Sequence, residues 1–283
     1  MRAPLLLVTA ALAGASAIAQ ETTDVRDLLR RVGERVETYY ARAQSIICLE
    51  TVSVQRMTSN LSAEGFPRRL EYDLRVSWDA ATAGEDMPEP NTVRELRRVN
   101  GRAPKNSDEE IKCLDPRPLS LDPLAFLLPR HQEEYTFTVK GRDKIDRRNA
   151  LRVEYTYAHP GEPEFTWRET CVSISLPART TGRVWIDQAT GDVLRVEEGQ
   201  RGPYEIRMPT ELWRKAGGGS DRLVFERSNV TIRYKTIAFR DPEETLILPE
   251  SIDSLSVARE SAVRITHTFS GYQRFVTDAR IVQ

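Results

Sequence analysis

Arg183-Val184-Trp185-Ile186-Asp187-Gln188-Ala189-Thr190-Gly191-Asp192-Val193-Leu194-Arg195-Val196 reads as a β-hairpin. Two runs of β-branched and aromatic residues flank a polar stretch containing Gly191, the signature of two antiparallel strands joined by a turn. Downstream, residues 204–208, 222–227, 229–239, 246–257, 260–269 and 272–282 supply further strand candidates. Upstream, Tyr135, Phe137 and Val139 alternate, followed by Leu151, Val153, Tyr155 and Tyr157, and then by a strand near Cys171–Leu176.

The alternation is cleanest at residues 69–78. Leu70, Tyr72, Leu74, Val76 and Trp78 face one way, and Arg69, Glu71, Asp73, Arg75 and Ser77 the other. That is a strand of an antiparallel sheet with one buried face. Residues 46–56 form another strand, and 93–100 a third that closes on the turn pair Asn100-Gly101.

Two helices interrupt this pattern. Val25, Leu28, Leu29, Val32, Val36, Tyr39 and Ala43 recur at three- and four-residue steps, which predicts an amphipathic helix with Thr23 as N-cap. Asp122-Pro123 predicts a helix start, and Pro129 a stop. Between them Leu124, Ala125, Phe126, Leu127 and Leu128 are apolar on every side. A segment this apolar is buried in a core or seated over a hydrophobic cavity. About ten strands with one long and one short helix must curl to bury their face. The expected class is therefore α+β: a strongly bent antiparallel sheet, an open half-barrel, with both helices on its concave face. The run of strands shows no internal boundary, so residues 20–283 read as a single β-rich domain.

The first 19 residues read differently. Arg2 precedes an apolar run from Leu5 to Ala17, followed by Ala17-Ile18-Ala19. A basic start, a short apolar core and an A-x-A end predict a cleaved signal peptide over 1–19, and hence a periplasmic or secreted chain that does not span a membrane.

Composition narrows the function classes. Lys and Arg total 41 against 42 Asp and Glu, a balance that gives no overall electrostatic case for nucleic acid or an anionic membrane. The three cysteines have no C-x-x-C spacing and the three histidines lie far apart, so no metal or other cofactor is expected. Cys48 shares a face with Ile46, Val52 and Val54 and reads as a buried apolar residue. Cys113 and Cys171 are left as the favoured disulfide pair, a connectivity that sequence alone leaves open. His131, His159 and His267 have no nucleophile or metal partner at a recognisable spacing and read as surface or loop residues. With no triad, no metal constellation and no G-x-S-x-G elbow, the chain reads as non-enzymatic.

The order of elements, together with Trp185, Asp187, Thr190, Gly191 and Arg195 in a W-x-D-x-x-T-G-x-x-x-R hairpin, resembles the outer-membrane lipoprotein-sorting (LolA/LolB-like) superfamily of periplasmic carriers. The resemblance implies an unclosed antiparallel barrel with helices over an apolar concave face. It also implies a lipid-like ligand, an acyl chain or a lipoprotein, held there. No individual ligand-contacting residue transfers. The residues expected to line the cavity and its lid are Leu124, Phe126, Leu127, Leu128, Tyr72, Leu74 and Trp78, against the plainer reading that they are core. The competing function is an envelope interaction or sensor module with a packed core, an envelope protein as partner and no ligand. A carrier requires an apolar cavity beneath residues 122–128; a packed module does not.

Overall fold

The structure is a computed structural model that describes residues 24–43, 46–78, 90–105, 124–158, 164–168, 171–175, 180–200, 202–207, 209–215, 220–240, 243–259 and 261–274. The expected signal peptide, the Asp122-Pro123 helix start and Cys113 lie outside these residues, as do the side chains of Cys171 and Trp78.

Helix α1 (Val25–Arg42) opens the described chain. Its N-cap is Asp24 rather than Thr23: the Asp24 carboxylate accepts a 2.9 Å hydrogen bond from the Arg26 N–H, and aspartate caps at least as well as threonine. Leu28, Val32, Gly33, Val36 and Tyr40 form its buried stripe.

Among the described residues thirteen strands follow: β1 (Ile46–Met57), β2 (Ala63–Trp78), β3 (Pro90–Val99), β4 (Tyr135–Ile145), β5 (Arg148–Tyr157), β6 (Glu164–Arg168), β7 (Cys171–Ser175), β8 (Thr180–Asp187), β9 (Val193–Gln200), β10 (Tyr204–Arg207), β11 (Arg222–Arg240), β12 (Glu243–Ala258) and β13 (Ser261–Arg274). A short helix, α2 (Thr210–Lys215), lies between β10 and β11. The sequence pattern divides β11 at Ser228 and β13 at Ser270-Gly271, where small polar residues and glycine interrupt the apolar runs. β6 and α2 are not among the expected elements.

Eleven strands form one antiparallel sheet in the order β3-β2-β1-β13-β12-β11-β9-β8-β5-β4, with β10 on β11; β6 and β7 pair separately. The first and last strands meet in the middle: Ile46 lies opposite Arg274 and Met57 opposite Ala262. The two ends of the order, β3 and β4, are consecutive in the chain and do not pair with each other. The sheet is thus open, and the chain between β3 and β4 connects its two free edges.

The sheet bends around its core. Ten strands laid flat would span about 40 Å, whereas a helix with its side chains is about 10–12 Å across. Yet one continuous apolar cluster contains Leu28, Val32 and Val36 of α1, Leu74 of β2 and Tyr155 of β5, with Phe137 and Val139 of edge strand β4 packed against it. Elements at both ends of the order reach one core only if the sheet curls, as the expected half-barrel does.

Residues 124–128 sit in that core as a single 3₁₀ turn (Ala125–Leu127) rather than an α-helix. Pro129 is the physical reason: it removes a backbone donor just where a second turn would begin. All five residues are buried.

One glycine is fixed by this packing. Gly182 of β8 lies opposite Tyr155 of β5, and a Cβ there would overlap the Tyr155 ring. Gly182→Ala is therefore expected to push Tyr155 out of place and cost about 1–3 kcal/mol, the usual toll of overpacking. A denaturant-unfolding midpoint equal to that of the parent would refute this reading.

Candidate functional site

The apolar turn is held as a plug against the inner wall of the sheet. Phe126 stacks on Tyr155 at 4.1 Å between ring centroids. Its ring lies 5.8 Å from Tyr135 and 6.4 Å from Phe137. Tyr135 and Phe137, on edge strand β4, are only half-buried. Burial, with the charge of Glu134 adding to it, raises the Tyr135 hydroxyl to about 12. Burial also pushes the Tyr155 hydroxyl well above its usual value. Both rings are therefore neutral surfaces at physiological pH.

One side chain ties the plug to α1. The Gln132 amide donates to the carbonyl of Leu29 at 2.9 Å and to that of Leu127 at 2.7 Å. Gly33 makes room for this latch: a Cβ at position 33 would come within 2.9 Å of Gln132 Nε2 and of Pro129. C-terminal to the plug, Glu134 is bonded by His131 Nδ1 at 2.6 Å and by the Tyr157 hydroxyl at 3.0 Å.

Beside the plug is a cavity of about 50 Å³. Val36, Tyr39, Leu124, Val193, Leu246 and Ile247 supply its apolar lining, and Arg35, Thr38, Arg42, Asp192 and Thr245 its polar rim. Ligand pockets for drug-sized molecules run to about 300–1,000 Å³, so this space admits a few waters and no acyl chain. Beneath the apolar segment, Phe126 packs its ring on Tyr155.

Of the residues expected to line a ligand cavity, Leu124 borders this one. Phe126, Leu127, Leu128 and Leu74 belong to the main core. Tyr72 lies on the same face toward the other end of the strands, packed on a smaller cluster of Val52, Val54 and Leu70. Trp78 ends β2.

The hairpin motif proves to be a structural clamp. Asp187 accepts the N–H groups of Ala189 and Thr190, both at 2.8 Å, and the Arg148 Nε at 2.7 Å. Asp192 accepts from Thr190 Oγ1 at 2.6 Å, Arg148 at 2.8 Å and Arg35 of α1 at 2.7 Å. Burial alone would raise both carboxyls, but these hydrogen bonds outweigh it and hold them below the usual carboxylate range. Gly191 has φ +75° and lies 3.5 Å from the Arg35 side chain at its nominal Cβ, so α1 is pinned directly on the turn. Trp185 faces the opposite side of the sheet from Val184 and Ile186. There its indole N–H donates to Asp143 at 2.7 Å, under the Arg195 guanidinium.

A buried charge cluster on the inner wall escaped the sequence reading. Glu50 of β1 is 2% exposed. It receives Arg94 of β3 through two hydrogen bonds of 2.7 and 2.6 Å, and meets His267 Nδ1 of β13 at 2.7 Å. Arg94 lies over the Tyr72 ring at 4.4 Å. His267 is thus buried and partnered, correcting its assignment to the surface. The signal was available: Glu50 has the same parity as Ile46, Cys48, Val52 and Val54, and His267 the same parity as Ile265 and Phe269. Burial raises the Glu50 carboxyl, but its bonds to His267 and Arg94 bring it below the ordinary value. Cys48, two residues away, is buried as expected, and burial and the Glu50 charge push its thiol up to about 12. A thiol so raised stays protonated and is a poor nucleophile. Among the described residues no group of three or more His, Cys, Asp or Glu could hold a metal ion. None of their helices is long and apolar enough to cross a membrane.

An open antiparallel sheet curled around one amphipathic helix and an apolar plug defines the class of this chain. It is similar in structure to a putative outer membrane lipoprotein-sorting protein domain from Vibrio parahaemolyticus, with TM-score 0.45 and 10% identity over 91% of this chain and 96% of that one. It is also similar to a DUF1329 family protein from Desulfovibrio piger, with TM-score 0.41 and 11% identity over 91% and 95% of the two chains. A LolA superfamily protein from Nitrosomonas europaea has TM-score 0.32 and 10% identity over 90% and 97%. No protein-family model and no curated protein matches the chain.

Proposed function

We propose that this protein is a non-enzymatic carrier of the cell envelope. Its ligand is lipid-like and apolar, and its site is the inner wall that residues 124–128 now occupy. The observation that supports this most directly is the way the plug is held. A single 3₁₀ turn with one two-pronged side-chain latch covers an aromatic wall, and part of that wall is exposed at a free sheet edge. The plug belongs to no strand, so it leaves without breaking a ladder hydrogen bond. An acyl chain taking its place gains about 0.8 kcal/mol per buried methylene. Leu124, Phe126, Leu127 and Leu128 then act as the displaceable lid, and Leu74 as part of the floor.

The size of the cavity favours a second reading, a packed envelope interaction or sensor module without a ligand. Native mass spectrometry of the chain purified from a bacterial envelope separates the two. A carrier shows an adduct that organic solvent removes and that yields lipid on extraction. A bare mass, or a stoichiometric protein partner with no lipid, overturns the carrier reading.

A further inference from the structure

The hairpin of β1 and β2 ends in an aromatic knob that the core does not use. Phe66 is fully exposed. Its position is built rather than left loose. Across the ladder Val54 faces Arg68 and Arg56 faces Glu64, so Gly65, Phe66 and Pro67 stand opposite the single residue Gln55. A bulge of this kind re-aims a side chain away from the sheet. Gly65 takes φ +68° to make the bend. The Gln55 amide holds it, donating to the carbonyls of Arg56 at 2.7 Å and Glu64 at 3.1 Å. A phenylalanine kept wholly in water by a dedicated bulge forgoes the main advantage of an aromatic side chain, unless something else covers it.

The surroundings indicate what covers it. Arg56 and Arg69 are exposed beside the knob. Asn100 exchanges hydrogen bonds with the Arg69 backbone at 2.7 and 2.9 Å, which brings the turn carrying exposed Arg102 to the same end of the sheet. None of the ion pairs among the described residues uses these three arginines. Glu64 is the opposing carboxylate at the tip, facing Arg56 across the ladder. In a chain of net charge −1 this end carries a local excess of positive charge. One aromatic ring is far too little apolar area for a stable protein interface, which buries about 1,200 Å² or more. A single wedge ringed by arginines does suit the headgroup layer of an anionic bilayer.

We infer that the β1–β2 tip is a membrane-surface contact: Phe66 enters the headgroup region and Arg56, Arg69 and Arg102 meet lipid phosphates. This stands on the hairpin and the neighbouring Asn100–Arg102 turn, and not on the carrier reading. The test is vesicle flotation of the full chain, with phosphatidylcholine alone and mixed with phosphatidylglycerol. The expected result is binding to the mixed vesicles that weakens with salt, about tenfold weaker in Phe66→Ser and weaker again in Arg69→Glu. Phe66 packs against nothing, so the melting temperature of Phe66→Ser should match that of the parent. A chain carrying Phe66→Trp should gain blue-shifted emission on adding the mixed vesicles. Equal flotation of Phe66→Ser and parent, an unshifted tryptophan, equal binding to both vesicle types, or no binding to either overturns the inference. The Phe66→Trp reporter and the comparison of variants both read the tip itself, whatever other segments do.

Discussion

Glu50→Ala is expected to lower stability by about 3–5 kcal/mol, the cost of removing one partner from a buried ion pair. Arg94, 8% exposed at its side chain, would lose its two bonds to Glu50, and His267 would lose its Nδ1 partner. Glu50→Gln should cost less, because the amide retains some of the hydrogen bonding. Replacing the whole cluster with apolar residues of similar size, as in Glu50→Leu, Arg94→Met and His267→Phe together, should recover most of the loss, since desolvation consumes much of what such clusters gain. Urea unfolding of the three proteins decides the matter. A Glu50→Ala loss below about 1 kcal/mol would mean that water reaches the cluster and that its burial contributes little. The same carboxylate predicts an acid limit. Glu50, Asp187 and Asp192 all have folded values below the ordinary range, so near pH 4 the unfolded chain binds more protons than the folded one. Their contribution is fully present above the ordinary carboxylate values and is lost as the pH falls through the lower, folded ones.

Phe126→Ala is expected to have two effects of opposite sign. Removing a buried ring that touches Tyr135, Phe137 and Tyr155 should destabilise the fold by about 3–5 kcal/mol, by lost transfer energy and by the cavity left behind. If the plug occupies a ligand's place, the same change should increase uptake of a fluorescent fatty-acid probe, because the probe no longer competes with Phe126 for the wall. Gln132→Ala, which loosens the latch and leaves the wall intact, should raise the same signal at a smaller cost in stability. A Phe126→Ala chain that is destabilised and yet takes up no more probe than the parent would mark the turn as ordinary core.

Much of the fold was legible because its determinants are local. Alternation at 69–78, the turn chemistry of 187–192 and the helical period of 25–43 each depend on near neighbours. The site was less legible because its determinants are not local. The apolar character of 124–128 showed that the segment is buried, but only tertiary packing reveals that Phe126 stacks on Tyr155 of the inner wall. Glu50, Arg94 and His267 come together because β13 pairs with β1 on one side while β2, with β3 beyond it, pairs on the other, a register that no single strand encodes. The motif at 185–195 was visible, but the bond from Arg35 to Asp192 that fastens α1 to the turn was not. Phe66 sits within a strand whose pattern is readable only from residue 69, because the bulge breaks the alternation before it.

The meeting of β1 with β13 also governs how the chain must fold. Hairpins such as β8–β9 and β4–β5 close over a few residues and can form early. The middle of the sheet instead joins Ile46 to Arg274, so a large loop-closure entropy must be overcome before that contact is rewarded. Until β13 arrives, one side of β1 is an unpaired edge beside a hydrophobic face, the kind of surface that draws other chains. The molecule is therefore most vulnerable to aggregation while its first strand waits for its last, and a chaperone that shields β1 during that interval would act where the topology is weakest.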